Sequence, residues 1–103
     1  LYRFNITANL TRHTIMFGFQ TDDSSDEYYL DTVSVTNVLT PGTELLTNPG
    51  FESSSSSATG WSVWCSGSCG SDAIGIRTDS KCFSGNCVEA ECSTNNIETL
   101  AQS

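Results

Sequence analysis

Five cysteines carry most of the reactive potential of this 103-residue sequence: Cys65, Cys69, Cys82, Cys87 and Cys92. No Cys-x-x-Cys pair occurs, and His13 is the single histidine. A tetrahedral zinc site draws on clustered Cys and His ligands. The pattern therefore points to disulfides rather than metal. An odd count leaves one sulfur free or paired outside the chain. Spacing alone leaves the pairing open: Cys87 with Cys92 would form a local clamp, and Cys65 or Cys69 with Cys82 a longer tie. His13 has no evident Cys partner, and no Gly-x-Ser-x-Gly elbow occurs. Catalysis is not expected from these residues.

The carboxylates suggest binding. In YYLDTVSVT, Asp31 shares parity with Tyr29, Val33 and Val35 and so faces the core side of a strand. An unpaired carboxylate there is costly and calls for a partner. The run Asp22, Asp23, Asp26, Glu27 lacks the glycine and spacing of a calcium loop and reads as a solvated turn. Among the aromatic residues, Trp64 and Tyr28 are the candidates for stacking on a sugar ring. Asn5-Ile6-Thr7 and Asn9-Leu10-Thr11 are N-glycosylation triplets, which makes Asn5 and Asn9 candidate glycan sites of a secreted protein.

The elements that position these groups are expected to be strands. Gly, Ser, Thr and Asn are abundant, and no long helix-forming run occurs. The length suits one small domain. A net charge of −8 disfavours nucleic acid as a partner. No apolar run approaches the roughly 20 residues that span a bilayer. No signal peptide is evident and the chain does not begin with Met, so it is expected to be processed or excised from something longer.

Residues 1–9 alternate, with Tyr2, Phe4, Ile6 and Ala8 on one parity, and predict a half-buried strand. HTIMFGFQ repeats the pattern, and YYLDTVSVT makes a third strand. In VLTPGT, Pro41-Gly42 signals the turn of a short connector at 38–43. Ser53 to Ser57 reads as an exposed loop. GWSVW and AIGIRT are further strands, KCFSGNCVEAEC is a cysteine-clamped hairpin or loop, and IETLAQ is a strand or one helical turn. About seven short strands suggest an all-β, antiparallel sandwich.

ELLTNPGFE followed by Gly60-Trp61 resembles the first strand and loop of the galactose-binding-like jelly-roll family. That family includes carbohydrate-binding modules attached to many glycoside hydrolases. TIMFGFQTDDSSDEYYLDTVSVT resembles the same family's last two strands. The resemblance as a whole touches about two-thirds of the chain, and the quoted residues are about a third of it. The resemblance implies a jelly-roll sandwich, with the Trp of the Gly-Trp element in the core. It also implies that Asp31 and Glu52 ligate a structural Ca²⁺, helped by carbonyls from the 44–50 turn and the Asp79–Lys81 region. Thr32 stands where the family often has a second Asp.

The order is inverted. The family's ending occupies 1–37 and its beginning occupies 44–103. Three arrangements would produce this: a window on a tandem array, a permutant closed on itself, or a subunit whose halves complete sandwiches in neighbouring copies. In the first and third, Asp31 and Glu52 would serve different sandwiches. The expected function is a non-catalytic, secreted structural repeat of an extracellular filament or multidomain adhesive protein. Its partners would be copies of itself or neighbouring modules, joined head-to-tail. The rival expectation is a module that binds glycan through exposed aromatics.

Overall fold

A computed structural model describes residues 2–22, 25–70, 73–92 and 94–103. The described chain is all-β and its strand pairs are antiparallel, with no α-helix among the described residues. Eight strands run in chain order: β1 (Ile15–Gln20), β2 (Tyr28–Leu30), β3 (Thr36–Asn37), β4 (Thr40–Glu44), β5 (Ser62–Cys65), β6 (Gly75–Arg77), β7 (Cys87–Ala90) and β8 (Ile97–Gln102). One three-stranded sheet has the order β1-β8-β5, a second has the order β2-β7-β6, and β3 and β4 form a hairpin.

The two larger sheets enclose the core. The first contributes Phe17 and Leu100, and the second contributes Leu30, Ile76 and Val88. Phe51 and Trp61, from the segment between β4 and β5, complete it. The Trp61 ring lies 5.5 Å from that of Phe51 and 6.2 Å from that of Phe17. Its indole N–H donates to the Asn48 carbonyl at 3.1 Å, which removes the cost of burying a donor. The implied core role of Trp61 is therefore what the fold uses.

Strands from both sides of the 38–43 stretch share these sheets. Ile15 to Gln20 of β1 are in register with Gln102 to Ile97 of β8, and Tyr28 to Leu30 of β2 with Ala90 to Val88 of β7. Thr21 fastens the sheets to each other. Its hydroxyl donates to the Cys92 carbonyl at 2.6 Å and accepts from the Cys92 amide at 3.1 Å.

Three local expectations change. Residues 2–9 form no strand, and Tyr2, Phe4 and Ile6 stand 90%, 83% and 72% exposed. Alternation marks a segment fit for a sheet, but no edge pairs with it here. The third strand is broken after Leu30, where Thr32 takes a left-handed φ of 53° and the Val33 amide turns to the Pro49 carbonyl at 2.9 Å. Pro41 and Gly42 lie inside β4 rather than at the turn. Proline needs no amide partner on the edge of a two-stranded hairpin, and the turn is made instead by Asn37, whose Oδ1 accepts from the Leu39 amide at 2.8 Å. IETLAQ is the central strand β8. Among the described residues, no helix is long and apolar enough to cross a membrane.

Candidate functional site

The loop from Asp79 to Cys87 gathers the two carboxylates singled out in the sequence. The Cys82–Cys87 disulfide closes its second part. Within it, Asp79 Oδ1 accepts from the Lys81 amide at 2.7 Å and the Asp79 carbonyl from the Cys82 amide at 3.2 Å. Asp31, just past β2, reaches the loop from one side. Its Oδ2 accepts from the Ser84 amide at 3.0 Å and its Oδ1 from the Thr32 hydroxyl at 3.2 Å.

Glu52 arrives from the Asn48–Glu52 turn, where Asn48 and Phe51 both hold left-handed φ angles. Its two carboxylate oxygens accept from the Asn86 amide at 3.1 and 3.2 Å. Asp31 and Glu52 thus both reach the Asp79–Cys87 loop, at the amides of Ser84 and Asn86. Gly85 sits between the two amides with φ +59°, and a Cβ there would lie 2.4 Å from Glu52 Oε1. Only glycine leaves room for the carboxylate at that distance.

A second polar cluster lies on the β2-β7-β6 sheet. Arg77 pairs with Glu89, and Lys81 pairs with Glu27. The Tyr29 hydroxyl stands 2.7 Å from both Glu27 Oε2 and Glu89 Oε1, and the Lys81 ammonium donates to it at 3.1 Å. Partial burial, together with the carboxylates of Glu89 and Glu27, pushes the Tyr29 pKa up to about 12. The hydrogen bonds from Lys81 and then Tyr29 hold Glu27 below the ordinary carboxylate range. Arg77 and Lys81 each pair with one carboxylate and brace the sheet, and Glu91 brings a third carboxylate within 4.8 Å of those of Glu27 and Glu89. Of the acidic run expected to be a solvated turn, Asp23 lies outside the described residues, while Asp22 and Asp26 are exposed.

The candidate stacking residues fall on different sheets. Trp64 is on edge strand β5, 60% exposed and in register with Thr99 of β8, which is in register with Gly18 of β1. Tyr28 is on β2, 49% exposed, with its ring 6.0 Å from Phe19. They do not share one platform. Asn5 and Asn9 are exposed on the unpaired segment. His13 makes a local turn, with Nε2 3.1 Å from the Leu10 carbonyl.

The cysteine pairing differs from both suggested ties. The bonds are Cys65–Cys69 and Cys82–Cys87, and Cys92 is free and buried. The reason lies in the strands. Cys87 opens β7 and Cys92 follows its end, so an extended strand carries the two apart. Cys82 sits on the Asp79–Cys87 loop, whereas Cys65 and Cys69 lie at the end of β5 in the other sheet. Spacing in sequence carries no signal for this, since strand length and sheet membership decide which sulfurs meet. Comparison with protein-family models, curated proteins and solved structures finds no match for this chain.

Proposed function

We propose that this chain is a non-catalytic structural module of a secreted filament or multidomain adhesive protein, and that copies join head-to-tail by strand addition. The observation that carries the reading is segment 2–10. Its alternating Tyr2, Phe4 and Ile6 are fit for a sheet and are left in solvent. Ile6 lines an open cleft with Val38 and Leu45 of the β3-β4 region, so the apolar surface continues onto the body. Edge strand β5, with half-exposed Val63 and Trp64, has one unpaired side to accept such a segment.

Charge favours a second copy as the partner. No Asp or Glu precedes Asp22, while Arg3 and Arg12 are two of the four Lys and Arg residues. The segment is thus basic and the remainder strongly acidic. One copy's segment is attracted to another copy's body, and salt weakens the attraction. A contact between unlike surfaces need not close, so it builds chains. The two disulfides fit an oxidising compartment, and glycans at Asn5 or Asn9 would sit on the same segment and limit its docking. A labelled peptide of residues 2–14 added to the intact chain tests the reading. It should bind at low salt and shorten any polymer; no binding at any salt concentration overturns strand addition.

Ca²⁺ would be held by Asp31 and Glu52, in keeping with the galactose-binding-like resemblance, and would cross-link the 31–33 and 48–52 segments to the Asp79–Cys87 loop. The melting temperature should then rise with Ca²⁺ and fall with chelator, and Glu52→Gln should abolish the difference. An identical melting temperature with and without Ca²⁺ removes the ion from the account.

One observation favours the alternative of glycan binding. Trp64 presents its exposed ring on the outer side of a sheet whose neighbours in that row, Thr99 and Gly18, are small. Trp64→Ala should then lose a glycan-array signal at unchanged stability.

A further inference from the structure

We propose that Cys65, Cys69 and Cys92 form a thiol–disulfide exchange site, at which Cys65 is released as a thiol and then modified by an external disulfide compound. The sulfurs of all three lie within 4.8 Å of one another. Cys92 is the free thiol, 1% exposed, and its Sγ stands 2.7 Å from Cys69 Sγ of the Cys65–Cys69 bond. No other group fits between the two sulfurs at that distance.

The surroundings aim the nucleophile. Thr94 Oγ1 lies 3.1 Å from Cys92 Sγ. The Thr94 hydroxyl donates its single proton to the Ser68 carbonyl at 2.8 Å, so towards Cys92 it accepts. The Cys92 S–H thus faces two acceptors, Cys69 Sγ at 2.7 Å and Thr94 Oγ1 at 3.1 Å, and loss of its proton leaves the thiolate directly against Cys69 Sγ. Both backbone groups of Cys92 are held by the Thr21 hydroxyl, at 2.6 and 3.1 Å, which fixes the thiol in place. Thr94 is exposed, so the proton has a route to water.

The exchange balances without an oxidant. Cys92 gives up its proton to solvent, its thiolate attacks Cys69 Sγ, the Cys69–Cys92 bond forms, and the Cys65–Cys69 bond breaks. Cys65 leaves with the electron pair as a thiolate. The thiol has moved from a buried position to half-buried Cys65, at the end of edge strand β5. In a second step the Cys65 thiolate attacks an external disulfide RSSR. A Cys65–S–SR bond forms and RS⁻ leaves.

The test uses the intact native chain and a small neutral disulfide, bis(2-hydroxyethyl) disulfide, followed by peptide mapping under acid quench. The expected result is an adduct on Cys65 together with a cross-linked Cys69–Cys92 peptide. Cys92→Ser should give no adduct, because the remaining cysteines stay paired. Cys65→Ser should contain a Cys69–Cys92 bond. An adduct on Cys92 with Cys65–Cys69 retained overturns the proposal, and so does a native chain that takes up no adduct. Because the wild-type map decides alone, a variant that fails to fold does not rescue the idea.

Discussion

Gly85 shows how a single residue sets the candidate site. Its φ of +59° and the 2.4 Å that a Cβ would leave to Glu52 Oε1 act on different parts of the energy. The backbone angle penalises any L residue, and the steric contact displaces the carboxylate from the Asn86 amide. Gly70 provides the control, with φ +63° and nothing within 4 Å of a Cβ. Gly70→Ala should cost about 1 kcal/mol from the backbone alone. Gly85→Ala should cost roughly 1 kcal/mol more, from the lost charge-assisted bond. Urea unfolding of both variants measures the difference, and equal losses would mean that the carboxylate seat contributes nothing.

Tyr29 supplies a second test at this scale. A phenol whose pKa is raised to about 12 stabilises the fold most below the unfolded value of about 10. That stability is lost as pH rises from about 10 to about 12, because the folded phenol must then ionise beside Glu89 and Glu27. Ultraviolet titration should show one tyrosine ionising near the upper value, and Tyr29→Phe should remove that transition.

Among the elements, the β3-β4 hairpin depends on Glu44. Its Oε1 accepts from the amides of Val35, Leu45 and Leu46 at 2.9 Å each, and its Oε2 from the Ser34 hydroxyl at 2.6 Å. Partial burial opposes the charge, but the bonds from Ser34, Leu46, Val35 and Leu45 outweigh it and lower the Glu44 pKa. A depressed carboxylate stabilises above the unfolded value of about 4.3, and the gain is lost as pH falls through the lower folded value. Glu44→Ala should cost about 1–2 kcal/mol at neutral pH and much less at acid pH, by thermal unfolding across pH.

The same scale separates what the sequence reveals from what it conceals. β1 is legible because Ile15, Phe17 and Phe19 alternate in a half-buried strand, and the structure leaves Met16, Gly18 and Gln20 on the open face. Trp61 is legible because its Gly-Trp context resembles a known core element. Asp31 and Glu52 are legible as a pair only through that resemblance, since nothing local tells that both reach the amides of residues 84 and 86. Segment 2–9 alternates as well as β1 does, yet alternation reports fitness for a sheet and not the presence of an edge to join. The disulfides are concealed for a related reason, because strand direction and sheet membership decide which sulfurs meet.

At the scale of the molecule, the two sheets form one core, and the pairings β1 with β8 and β2 with β7 join the start of the chain to its end. The unsatisfied surface is concentrated in segment 2–10 and the adjoining β3-β4 hairpin, where Tyr2, Phe4, Ile6, Val38 and Leu39 are largely exposed. Apolar side chains so grouped are costly in water and favour a partner. If a second copy is that partner, removing the apolar parity of the segment should leave the core intact, since none of these side chains belongs to it. The most direct measurement is the mass of the native chain by light scattering at low and high salt, beside the double variant Phe4→Asp with Ile6→Asp. The account predicts concentration-dependent chains at low salt that dissociate at high salt, and a monomer of unchanged melting temperature for the variant. A wild-type chain that stays monomeric at every salt and protein concentration would contradict it.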